Sequence, residues 1–131
     1  NTDELDKALS SGKIVVMGGL QPGQSTNAVS CVLAEKSGSS LLVNTTAVDG
    51  VYSGDPKKDR SAKKFSEIKI NDLAKILDGV GTRAGEYDLL DPVALRMIQR
   101  SKILTKVIDG RDPKNILRAI EGEDIGTTIV P

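Results

Sequence analysis

Two loops in this sequence bring together the groups that a phosphorylated ligand needs. Residues 18–26 read G-G-L-Q-P-G-Q-S-T: they leave an apolar run, turn on glycine and proline, and enter a helical pattern near Ser25 and Thr26. Glycine lets the backbone approach a ligand closely, and a helix start offers unpaired N–H groups and a partial positive charge to an anion. Ser25 and Thr26 add hydroxyl donors. The combination suits a phosphate, although an ordinary turn with a Ser or Thr cap uses the same residues. Gln24 stands where a Walker loop would place lysine after its last glycine, so this is not that motif.

The second loop, residues 44–56, reads N-T-T-A-V-D-G-V-Y-S-G-D-P and presents Thr46, Asp49, Tyr52 and Asp55 in one excursion. A nucleotide needs a flat apolar surface for its base and polar groups for base and ribose, and this set supplies both. Asp-Gly and Gly-Asp-Pro are also plain turn dipeptides, so residue type alone leaves both readings open. Other candidates are weaker. Lys57, Lys58, Lys63 and Lys64 form a charge run of the kind that solvates a face. Asp91 and Asp112 each precede proline and read as helix caps, and Cys31 reads as a small buried apolar residue.

Composition removes whole classes of chemistry. With no histidine among 131 residues, histidine triads, most zinc sites and the commonest general base are excluded. Phe65, Tyr52 and Tyr87 are the only aromatics, too few for a base-stacking platform. Lys plus Arg and Asp plus Glu each number 18, so no net basic field recruits nucleic acid or an anionic membrane. A single cysteine forms no intrachain disulfide, which makes the reducing cytosol the expected compartment. No apolar run has the length of a membrane span.

The elements that must position these loops alternate. A short helix is expected over residues 3–10, a buried strand over 13–17 (K-I-V-V-M), a helix over 26–36 and a strand over 40–44. An edge strand is expected over 65–70, then a helix over 71–77 with Leu73, Ile76 and Leu77 inward and Gly79 as its stop. Residues 78–88, rich in glycine and charge, read as a mobile loop. Asp91-Pro92 and Asp112-Pro113 each open a helix; strands fall over 103–108 and 127–130. Such alternation implies an α/β fold, a largely parallel sheet with helices on both faces, and ligands at the carboxyl ends of strands. The loops after Met17, Asn44 and Ile108 then share one sheet edge. The chain opens at Asn1 with a helix already under way, as a cut chain would.

The two loops at this spacing resemble the uridine monophosphate kinases of the amino acid kinase superfamily, in their archaeal form. The resemblance covers nearly the whole chain. It rests on V-V-M-G-G-x-x-P-G-x-S-T, V-N-T-T-x-V-D-G-V-Y-x-x-D-P, L-L-D-P-x-A and the closing G-x-x-I-G-T-T-I. It implies the superfamily's αβα sandwich, with residues 1–131 as its C-terminal, nucleotide-binding part and the N-terminal half absent. It assigns UMP, and its phosphate above all, to Leu20, Gln21, Pro22, Gly23, Gln24, Ser25 and Thr26. It assigns ATP to Thr46, Tyr52 and Asp55, with Mg2+ carried by the nucleotide phosphates and a ring-like homohexamer as the assembly.

Two departures accompany the resemblance. The family's phosphate-binding lysine, a Gly-Gly loop and an acidic UMP contact lie in the N-terminal half, outside this sequence. Asn27 stands where many relatives carry an aspartate that organises catalytic lysines. A fragment inactive by itself is the expectation; a non-catalytic nucleotide-binding or storage subunit is the alternative.

Overall fold

The computed structural model describes residues 2–20, 22–79 and 90–131. The helix ends follow the capping chemistry of the sequence. Ser25 sits in extended backbone (φ −70°, ψ 151°) and accepts the amide of Ala28, opening α2 (Thr26–Ser37). Asp91 accepts the amides of Val93 and Ala94 and opens α4 (Pro92–Ser101), with Pro92 in the first turn, where its missing N–H costs nothing. Before α5 (Lys114–Ile120), Asp112 accepts the Lys114 amide at 3.0 Å, while Pro113 is already helical at φ −61°, ψ −23°. The remaining helices are α1 (Thr2–Leu9) and α3 (Ile70–Gly79). Of residues 78–88, only Asp78 and Gly79 are described, and both belong to α3.

Four strands form one sheet in the order β1 (Leu41–Thr46), β3 (Leu104–Asp109), β4 (Thr127–Val130), β2 (Glu67–Lys69). The β1–β3 and β4–β2 pairs are parallel, as expected, and β2 is an edge strand. The central β3–β4 pair is antiparallel. The connection through α5 thus returns the chain to the sheet edge that it left. One edge therefore gathers the carboxyl ends of β1 and β3 and the amino ends of β4 and β2.

Residues 13–17 do not form the expected strand. Ile14 and Val16 are 96% and 90% exposed. A strand exists only as one side of a ladder, and among the described residues no strand pairs with this segment. All of β1 except Thr45 is half-buried, as befits an outermost strand, whereas residues 105–108 of β3 are buried throughout.

Period-two alternation along β3 divides the layers. Val107 joins Cys31 of α2, Leu73 of α3, Ala94, Leu95 and Ile98 of α4, and Ile129 in the main core. Lys106 points the other way, and its ammonium donates to the carbonyls of Ala119 (3.3 Å) and Glu123 (3.1 Å) around the end of α5. Both oxygens also accept a backbone amide, from Gly122 and Ile125, and they lie at or just past the negative C-terminal end of α5, so the buried lysine is satisfied by its setting. Helices thus cover both faces, which makes an αβα sandwich. No helix among the described residues is long and apolar enough to cross a membrane.

Candidate functional site

Helix α2 reaches β1 through residues 38–40, and α4 reaches β3 through residues 102–103. Connections this short turn each helix back along the strand it feeds, so both helix N-termini come to the edge where β1 and β3 end. The side chains there bear this out: the Ser25 hydroxyl donates to the Asp91 carboxylate. The loop entering α2 and the loop leaving β1 therefore share one edge. Among the expected UMP contacts, Pro22, Gly23, Gln24, Ser25 and Thr26 are exposed. Leu20 instead lines a cleft of about 250 Å³ with Glu4, Leu5 and Ala8 of α1 and residues 15–17. Gln21 lies outside the described residues.

A serine hydroxyl has one proton, and that of Ser25 is committed to Asp91 while its oxygen accepts the Ala28 amide at 3.1 Å. Thr26 and the open backbone of the loop are thus the more available donors. Asp91 was expected as a helix cap; its second partner was not expected. Burial pushes its carboxyl pKa up, but the Ser25 hydroxyl and the Ala94 and Val93 amides together outweigh this and hold it below the usual carboxylate range. Asp91 is therefore anionic near neutrality. A depressed carboxyl contributes stability above its unfolded pKa of about 3.9, and that stability fades as pH falls through the lower folded value. Replacing Asp91 with Asn keeps a good cap and removes this titration. Asp91→Asn is expected to lower stability above about pH 5 and to converge on the wild type at acid pH, flattening the acid limb of the stability–pH curve as read by urea midpoints. An unchanged acid limb would show that Asp91 does not carry it.

Cys31 is buried, as expected. Burial, followed by the negative charge of Asp91, pushes its thiol up to about 11, and its Sγ lies 3.8 Å from the Ala94 carbonyl oxygen. It is a packing residue with little thiolate character.

In the loop after β1, the Thr46 hydroxyl donates to the Val48 carbonyl (2.7 Å) and accepts the Val48 amide (2.9 Å), shaping the turn itself. The Thr46 carbonyl accepts the Gly110 amide at 2.8 Å, which joins the loops leaving β1 and β3. Asp55 accepts the Lys57 amide at 2.9 Å, and its backbone carbonyl accepts those of Lys58 and Asp59. The Tyr52 hydroxyl donates to Asp49 at 2.7 Å, and the Lys64 ammonium lies 3.6 Å from the same carboxylate. At the end of β3, Arg111 forks onto Asp109 at 2.6 Å; that hydrogen bond, with the Arg111 amide, holds the Asp109 carboxyl at about 2.

A long-range tie fixes the loop. Thr127, fully buried at the start of β4, accepts the Val51 amide at 2.8 Å and donates to the Phe65 carbonyl. The closing G-x-x-I-G-T-T-I run contains this threonine, but its bond to Val51, 76 residues away, is not legible from local sequence. Thr127→Val keeps the shape and strands a buried N–H and a carbonyl. We expect a loss of about 2–4 kcal/mol in denaturant unfolding; a loss below about 0.5 kcal/mol would mean that the tie is not made.

The chain matches the amino acid kinase family over residues 1–109. The chain belongs to the amino acid kinase family. Curated uridylate kinases are similar along its whole length: that of Methanothermobacter thermautotrophicus is 45% identical over 131 residues, and that of Methanoculleus marisnigri 48% over 130. These matches take in 100% and 98% of this chain but only 58% and 56% of the relatives, so it spans a little over half their length. Among solved structures, uridylate kinase from Archaeoglobus fulgidus superposes with a TM-score of 0.83 at 39% identity, covering 99% of this chain and 58% of that one. UMP kinase from Bacillus anthracis gives 0.80 at 26% identity, over 96% of this chain and 50% of its own. The mixed sheet with helices on both faces is thus part of the family fold.

Proposed function

We propose that this chain is the C-terminal, nucleotide-binding part of a uridylate kinase, which transfers the γ-phosphoryl group of ATP to UMP and yields ADP and UDP for pyrimidine nucleotide synthesis. The observation that carries this reading is the similarity to uridylate kinases along 98–100% of the chain. The loop geometry supports it, since the glycine loop entering α2 and the loop leaving β1 meet the same sheet edge. A UMP phosphate oxygen attacks the γ-phosphorus in line and ADP departs. Such a reaction depends on alignment and charge neutralisation more than on a protein general base, which suits a sequence without histidine.

On this reading Leu20 to Thr26 hold UMP, and Thr46, Tyr52 and Asp55 hold ATP. Among the described residues no group of three or more Cys, Asp or Glu side chains could hold a metal ion. Mg2+ would enter with ATP, on phosphate oxygens, and lessen their charge. A cytoplasmic homohexamer completes the proposal. One residue favours a second reading, a non-catalytic nucleotide-binding or storage subunit. Asn27 occupies the first turn of α2, which contains no acidic residue, where the resemblance puts an aspartate.

Substitutions in the full-length protein separate the two subsites. Tyr52→Ala is expected to raise KM for ATP about tenfold, on the order of 1–2 kcal/mol for a lost packing surface, and to spare KM for UMP. Thr26→Ala is expected to do the reverse. Equal losses toward both substrates from each substitution would argue for misfolding and against these roles. The storage reading predicts nucleotide binding without turnover.

A further inference from the structure

We propose that Asp49 is the positioning residue that sets the Tyr52 ring for ATP, through a hydrogen bond to the phenol; this rests on the reading of Tyr52 as an ATP contact. Asp49 Oδ1 accepts the Tyr52 hydroxyl at 2.7 Å, while Oδ2 lies 3.6 Å from Lys64 Nζ. Tyr52 and Lys64 also pair through their backbones in an isolated antiparallel bridge. On either side of it, the Phe65 amide donates to Val51 and the Ser53 amide to Lys63, both at 2.9 Å. Asp49 thus reaches across a small hairpin and holds both of its arms.

The backbone between Asp49 and Tyr52 is fixed independently. A Cβ on Gly50 would lie 2.7 Å from Thr127 Oγ1, at a φ of +157°. Val51 is fully buried and donates to that same Thr127 oxygen. With residues 50 and 51 anchored, rotation of the half-buried Tyr52 side chain is what the Asp49 bond restricts. The bond at the ring tip removes that freedom before ligand arrives. A ring already in place loses less entropy when a base packs on it, which improves affinity without any direct contact from Asp49.

The test uses the full-length enzyme, with KM for ATP, KM for UMP and melting temperature measured for each variant. Asp49→Ala and Tyr52→Phe should each raise KM for ATP about three- to tenfold, leaving KM for UMP and the melting temperature unchanged. The Asp49→Ala/Tyr52→Phe double variant should be no worse than either alone, because both remove the same bond. Asp49→Asn, whose amide oxygen still accepts, should restore most of the affinity. Additive losses, or a rise in both Michaelis constants, would assign Asp49 a merely structural role and overturn the proposal. If Tyr52→Ala raises KM for ATP while Asp49→Ala does not, the proposal falls and the ATP reading stands. If Tyr52→Ala has no effect on ATP, the reading itself falls and takes the proposal with it. Should Asp49→Ala fail to fold, Asp49→Asn combined with Tyr52→Phe gives the same test: a further rise in KM for ATP over Tyr52→Phe alone would overturn it.

Discussion

Purified alone, the 131-residue chain is expected to release no ADP from ATP and UMP and to bind ATP weakly at best. Phosphoryl transfer needs positive charge on the transferring group and donors fixed around the transition state. Two cations beside the loop after β1 are already engaged: Lys64 faces Asp49 at 3.6 Å, and Arg111 grips Asp109 at 2.6 Å. On the proposed reading the phosphate-binding lysine lies in an N-terminal half outside these residues. The isolated chain also presents apolar side chains to water, with Ile14 and Val16 almost fully exposed and Leu117 and Ile120 about 60% exposed. Association at micromolar concentration is expected to accompany the lack of activity. A coupled ADP assay on chain verified by mass, run beside size-exclusion chromatography, tests both points. Turnover at ordinary kinase rates, roughly 1–100 per second, would put the catalytic cations inside these residues and refute the division of labour.

Gly126→Ala is expected to be strongly destabilising. Gly126 has a φ of +63°, and a Cβ there would lie 2.1 Å from the Val107 carbonyl oxygen and 2.9 Å from Ile108 Cγ2. The left-handed conformation alone costs a non-glycine residue about 1–3 kcal/mol. The clash is with backbone of the central strand, so relief requires moving β4 off β3, where Val107 pairs with Thr127. That shift would also disturb the Thr127 tie to Val51 and with it the loop that carries Tyr52. A total of about 3–5 kcal/mol is expected, a large share of the 5–15 kcal/mol by which domains are commonly stable. Urea unfolding of the full-length variant measures it. A loss under about 1 kcal/mol would show that the turn before β4 has a different geometry.

The features legible in the sequence were those with local causes. Asp91-Pro92 marks the start of α4 because cap and first-turn geometry are set within a few residues, and residues 127–130 match β4. The glycine loop and the loop after β1 were placed on one edge from alternation alone. Pairwise properties were hidden. Residues 13–17 have strand composition but no partner among the described residues, and the antiparallel β3–β4 pairing is a relation between distant segments that no local pattern reports. Residue types suggested Ser25 as a phosphate donor, yet its single proton turns to Asp91, 66 positions along the chain. Asp49 was legible as a polar member of its loop; that it holds Tyr52 follows only from the hairpin that folds Lys64 back beside it.

The most direct test of the uridylate kinase reading is ADP release by the full-length native protein with ATP and one acceptor at a time. UMP is expected to give the highest kcat/KM, well above aspartate, acetylglutamate, carbamate or isopentenyl phosphate offered as alternative acceptors. Folded protein that binds ATP yet does not phosphorylate UMP, or that prefers one of the other acceptors, would contradict it.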